Sequence, residues 1–196
     1  MHSEAAAITE PAGRPAATDL RPLMAAYQAG ELSAFDRLYG ALAPMLTRYL
    51  TALTREPART QDLLQETFLR IHRARHTWDP ERRVEPWAFA IARHVSLMER
   101  RVRSRRRRHE VDAPGDLHEV AVSAESEALG ENELLWLAVG RLARERSEVV
   151  ILHHVWGFDF REIAGILGIS RGAARVRASR GMAELRRSLR SRLGPA

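Results

Sequence analysis

Residues 157–185 read GFDFREIAGILGISRGAARVRASRGMAEL, and the spacing within them decides the fold class. Asp159 followed by Glu162 forms a capping box, in which each side chain bonds the other residue's backbone N–H at a helix start. Ile163, Ile166 and Leu167 give the short helix that follows one apolar face. Gly168 supplies a tight turn where a side chain would strain the backbone, and Ser170 caps the next helix. On that second helix Ala174, Ala178, Gly181 and Leu185 recur at i, i+4, i+7 and i+11, a seam of small residues that allows close packing. Arg171, Arg175, Arg177 and Arg180 occupy the remaining surface. A helix packed inward through its seam and carrying arginines outward is what major-groove recognition requires. Arginine donates two parallel bonds to guanine O6 and N7, or holds a phosphate. A solvated basic helix would explain the arginines alone, but not the capping box, glycine turn and seam together. The stretch predicts a DNA-binding helix-turn-helix without saying which class of regulator carries it.

Outward from that motif, charge is distributed in blocks. All 31 basic residues of the 196 are arginine. Residues 1–18 carry a net charge of −1, residues 19–108 carry +8, residues 109–133 carry −8, and residues 134–196 carry +7. Codon usage in a GC-rich genome explains arginine over lysine; it does not explain the blocks. Two basic segments joined by an acidic connector indicate two modules that each meet a polyanion. Apolar residues recur at helical spacing nearly everywhere, and no alternating β-branched run reads as a strand. The expected fold is therefore all-α: two small helical domains joined by a flexible acidic linker.

The domain limits follow the same pattern. Residues 1–18 read as a disordered tail, with neither the basic start nor the apolar stretch of a signal peptide. Residues 19–108 form the first domain, with helices expected over 19–29, 32–53, 57–76 and 86–107. Asp79-Pro80 breaks the chain, and Pro86 suits a first helical turn. Residues 109–130 form the linker, and residues 131–193 the second domain, in three or four helices. Within the first domain, DLLQETFLR at residues 62–70 places Leu64 and Phe68, with Ile71, at core spacing. Asp62, Gln65, Glu66 and Leu69 share another face, which suits docking on a basic protein surface or simple solvation.

DLLQETFLR resembles the helix by which sigma factors grip the clamp coiled coil of RNA polymerase. RHTWDPERRVEPWAFAIARHVSLMERRVRSRRRR, from residue 75, resembles the promoter-melting and −10 recognition segment of the extracytoplasmic-function (ECF) subfamily of the sigma-70 family. GFDFREIAGILGIS with its arginine-bearing helix resembles the subfamily's −35-binding domain. The resemblance implies a sigma-2 domain and a sigma-4 domain, with core RNA polymerase (clamp coiled coil and flap regions), promoter DNA and an anti-sigma factor as partners. It places Asp62, Leu63, Gln65, Glu66 and Leu69 at the polymerase, with Phe68 in the core. It places Trp78, Arg82, Arg83, Arg93, His94, Arg100, Arg101 and Arg105 at the −10 element. There Trp78 either stacks an unpaired base or closes a helix end, and the arginines track phosphates. Trp87 is expected in the core. It places Ser170, Arg171, Arg175, Arg177 and Arg180 at the −35 duplex. Met98 stands where the family often has Asp, and Ala173 where Thr is usual, so promoter letters do not transfer. By analogy the acidic linker threads the RNA-exit path; a plain solubilising connector explains its composition nearly as well.

Other chemistry is not supported. The chain has no cysteine, which removes disulfides, thiol catalysis and cysteine-ligated zinc. No phosphate-binding glycine loop, Gly-x-Ser-x-Gly elbow or HExxH motif is present. His72 and His76 form an i, i+4 pair without further ligands, and His153-His154 should point one inward and one outward. No cofactor, no metal, no catalytic residues and no membrane insertion are expected, and the location is cytoplasmic. The alternative reading is an autonomous helix-turn-helix regulator, which would leave DLLQETFLR and the RHTWDP loop without a role.

Overall fold

A computed structural model describes residues 19–110 and 131–193. Helix α1 spans Arg21–Gln28, α2 Leu32–Thr54, α3 Pro57–Ala74 and α4 Val84–Glu110. Helix α5 spans Glu131–Arg141, α6 Arg144–Val150, α7 Phe160–Leu167 and α8 Arg171–Leu193. Among the described residues there is no strand, and no helix is long and apolar enough to cross a membrane. The all-α class is as expected. The linker and the N-terminal tail lie outside the described residues, apart from the end of α4.

Local chemistry sets the helix ends. Asp19 accepts a hydrogen bond from the Arg21 backbone N–H at 3.1 Å and holds the Arg21 guanidinium, which keeps its carboxyl below the usual carboxylate range. Pro57 opens α3, where the missing N–H costs nothing. Helix α2 closes on Arg55, a non-glycine residue in the left-handed region with φ of 59°, whose guanidinium bonds the Gly140 carbonyl of α5. After α3 a short 3-10 turn over Arg75–Thr77 leads to the Asp79-Pro80 break.

Leu38, Leu42, Leu46, Tyr49 and Leu50 of α2 are buried against Leu63, Phe68 and Ile71 of α3 and Val84, Ala88, Phe89 and Ala92 of α4. The second group closes over Val149, Val150, Ile151, Leu152, Phe158, Ile163 and Leu167. Helix α4 packs on α7, and α2 on α5 and α6. The apolar interior is thus continuous between the two groups. Trp87, expected in the core, is only partly buried against it.

Candidate nucleic-acid and polymerase interfaces

The capping box of α7 is complete. Asp159 Oδ1 accepts from the backbone N–H groups of Arg161 at 2.7 Å and Glu162 at 2.8 Å, and Glu162 Oε2 accepts from Asp159 N at 2.9 Å. Gly168 closes that helix with φ of 60°, a conformation that strains a Cβ-bearing residue. Ser170 Oγ accepts from Ala173 N at 3.1 Å, so its hydroxyl is already engaged in starting α8. Ala174, Ala178, Gly181 and Leu185 are all buried, which brings α8 onto α6 and α7. The approach is closest at Gly181, where an added Cβ would lie 2.7 Å from Val150 Cγ2 and 3.3 Å from Arg146 Cβ. Arg171, Arg175 and Arg180 are exposed and Arg177 is half-buried. Arg175 sits over the Phe160 ring at 5.7 Å, which steadies it beside the face that would meet DNA.

On α3, Asp62, Gln65 and Leu69 are exposed, and Glu66 is tied to Arg70 at 2.7 Å. Leu63 is a correction: it is 4% exposed, in the core rather than on the docking face. The buried residues of α3 are Thr60, Leu63, Thr67, Phe68 and Ile71, so Phe68 and Ile71 are in the core as expected and Leu64 is only partly buried. Beside the docking face lies Tyr39, exposed yet packed on Phe68 with ring centroids 4.5 Å apart. Tyr39 was not among the expected site residues; its sequence signal is an aromatic four residues after Phe35 on α2.

Trp78, placed by the resemblance either on a −10 base or at a closed helix end, is found at the second: it is 3% exposed, and no partner meets its indole N–H. Its large apolar ring closes the end of α3 instead of presenting a stacking platform. Arg82 is exposed and pairs with Asp79 at 3.2 Å. His94, Arg100, Arg101 and Arg105 are exposed along α4. Arg83 and Arg93 are only partly exposed, because both meet carboxylates. Arg83 lies 3.2 Å from Glu85 and 3.3 Å from Glu162, and Arg93 lies 3.6 Å from Glu148.

Residues 38–108 match the family model "Sigma-70 region 2", and residues 132–185 match "Sigma-70, region 4". The chain is 36% identical to RNA polymerase sigma factor CarQ of Myxococcus xanthus, covering 85% of this chain and 95% of that protein. The chain belongs to the ECF sigma factors of the sigma-70 family. It is also 34% identical to ECF RNA polymerase sigma factor BldN of Streptomyces coelicolor, over 90% of this chain and 69% of that one. The fold resembles the sigma factor RpoE solved in complex with the anti-sigma factor NepR from Bartonella quintana. The TM-score is 0.67 at 21% identity, over 79% of this chain and 96% of that one.

In this sigma factor the region-2 and region-4 groups share an interface with an aromatic centre. Phe89 of α4 meets Tyr49 at 5.1 Å, Phe158 edge-on at 5.2 Å and Trp156 at 6.1 Å between centroids. Around it Arg144 bonds Ser96 Oγ at 3.0 Å and Glu148 at 3.3 Å, and Arg83 lies over the Phe158 ring at 5.3 Å. Burial holds the Tyr49 phenol far above its usual range, so it stays protonated, and its hydroxyl has no hydrogen-bond partner. Between α6 and α7 the chain widens into a π-turn over Ile151–Val155. That turn overturns the expectation for the histidine pair: His153 and His154 are both half-buried, with rings 4.8 Å apart. His153 Nδ1 bonds the Phe158 carbonyl at 2.9 Å. Burial, and then His153 and Arg186, lower the pKa of His154 below its ordinary value. Among the described residues no group of three or more metal-ligating side chains converges.

Proposed function

We propose that this sigma factor selects promoters by simultaneous capture on core RNA polymerase. Asp62, Gln65, Glu66 and Leu69 of α3, with Tyr39 beside them, dock the polymerase clamp. Arg82, Arg83, Arg93, His94, Arg100, Arg101 and Arg105 track the −10 region, and the Arg171, Arg175, Arg177 and Arg180 side of α8 engages the −35 duplex. The observation that carries this reading is α8 itself, which is capped, seated on its small-residue seam and exposes its arginine side. Each small basic module alone binds DNA weakly and with steep salt dependence; joint tethering on polymerase raises the effective concentration of both. The factor acts in the cytoplasm and performs no chemistry of its own, and an anti-sigma protein is its expected regulator.

Run-off transcription with purified core polymerase, on DNA from upstream of the factor's own gene, tests the reading. A defined transcript should require the factor and be lost in Asp62→Ala/Glu66→Ala and in Arg171→Ala/Arg180→Ala. A footprint by the protein alone, with no transcript, would instead make it an autonomous regulator.

A further inference from the structure

Arginines are not all that α8 offers to the groove. Val176 is 48% exposed. It is the one large apolar side chain left exposed among the described residues of the region-4 group. At about 100° per residue, its position two residues after Ala174 and two before Ala178 directs it away from the buried seam. Among the described residues nothing buries it. A β-branched residue at an exposed helical position is also a poorer helix former than alanine or arginine, so local stability gives no reason for valine there. Arg175, Arg177 and Arg180 surround it, and Gly172, Ser179 and Ala183 on the same outward side are too short to hold it back from a surface docking on α8.

A surface ringed by guanidinium groups fits a polyanion, and the apolar group at its centre narrows the choice further. Of the groups that base edges display in the major groove, the C5 methyl of thymine is the apolar one. We propose that Val176 reads a thymine of the −35 duplex through that methyl, while the flanking arginines hold phosphates or guanine edges. The inference rests on the proposed placement of α8 in the −35 major groove, and it adds a base identity that the arginines do not supply.

The test uses promoters that the reconstituted holoenzyme recovers from random-sequence DNA. Each −35 thymine is replaced singly by deoxyuridine, which keeps every hydrogen-bonding group and removes only the methyl. With the wild-type factor, one replacement should weaken promoter binding about fourfold, the effect of withdrawing one buried methyl. With Val176→Ala, which puts a better helix former at the position, the thymine and deoxyuridine templates should bind equally. Val176→Thr, which keeps the branched shape and one methyl, should restore part of the difference. Recovered promoters that share no −35 thymine, or a deoxyuridine penalty that persists in Val176→Ala, would overturn the assignment. Either result would leave sigma activity standing. A holoenzyme that recovers no promoter would overturn the proposed function together with it.

Discussion

The two arginine surfaces of this sigma factor are equally basic in sequence and differ in what they face. On α8, Arg171 and Arg180 are exposed and make no ion pair among the described residues. On the region-2 side, Arg83 and Arg93 meet Glu162 and Glu148, carboxylates supplied by the region-4 group. A count of charges would rank the surfaces alike, yet their availability is set by residues far away in the chain. The shared interface is apolar at its centre but imperfectly satisfied: Tyr49 Oη and Trp156 Nε1 are buried with no hydrogen-bond partner, while Arg93 Nε has only the Glu148 carboxylate at 3.6 Å. Each such group costs about 1–3 kcal/mol. Packing around Phe89 offsets that cost and keeps the carboxylates against the arginines.

Phe89 is therefore where the contrast breaks most easily. Phe89→Ala should lose about 3–5 kcal/mol, because the ring is fully buried and touches aromatic residues of both groups. Urea unfolding followed by tryptophan fluorescence should show one wild-type transition dividing into two. A single transition of unchanged midpoint would mean that the groups do not share a core. Removing a carboxylate comes next. Glu148 is 3% exposed and serves both Arg93 and Arg144, so Glu148→Ala should cost about 2–3 kcal/mol by leaving charges unpaired in a partly buried site. Glu148→Gln, which keeps a hydrogen-bonding oxygen, should cost about half as much. Both variants should raise the affinity of the free protein for short basic-track ligands such as single-stranded DNA, since Arg93 is released. Unchanged affinity would show that the pair does not limit access.

What was legible in the sequence was local. Asp159 and Glu162 signal a helix start because their spacing alone dictates the reciprocal bonds, and the Ala174, Ala178, Gly181, Leu185 seam follows from helical periodicity. The family resemblance extended that reading to the whole architecture. What sequence reasoning missed needed the third dimension. Leu63 and Leu64 are adjacent leucines, and only the packing angle of α3 decides which one is buried. Trp78 could have stacked a base or closed a helix end, and only its burial in the folded chain decides for the second. Glu162 and Glu148, which meet Arg83 and Arg93, lie on helices far along the chain, so no spacing rule reaches them. Val176 differs again: helical periodicity fixes its place opposite the seam, but a single valine among arginines carries no charge or spacing signal of its own.

Smaller effects sharpen the contrast on the α8 side. Gly181→Ala should destabilise by up to about 2 kcal/mol, because overpacking against Val150 costs about 1–3 kcal/mol and the gain in helix propensity returns about 1 kcal/mol of it. Val150 is buried and branched, so its methyl 2.7 Å from the new Cβ has nowhere to turn. The lesion is on the inner side of α8. It should lower thermal stability while leaving DNA affinity per folded molecule unchanged at a temperature where the variant is native. A loss of affinity without loss of stability would mean that the seam also sets the angle at which α8 meets the groove.

The smallest expected effect is a pH dependence at the π-turn. His154 is held below its ordinary pKa chiefly by burial, with His153 and Arg186 adding to the penalty on a second positive charge. In the unfolded chain the imidazole binds a proton near its ordinary value of 6.5, whereas in the folded chain it does so only at lower pH. Between those two values the unfolded state holds more protons, so stability falls as pH falls through that window and is fully present above it. The thermal midpoint of the wild type should decline slightly from pH 7.5 to pH 5.5 on this account. His154→Gln, which cannot be protonated, should flatten that part of the slope. Because neither Arg93 nor Glu148 is among the groups that hold the His154 pKa down, Glu148→Gln should leave this slope in place. A slope abolished equally by both variants would move its origin to the shared interface and tie the proton to the contact between the two groups.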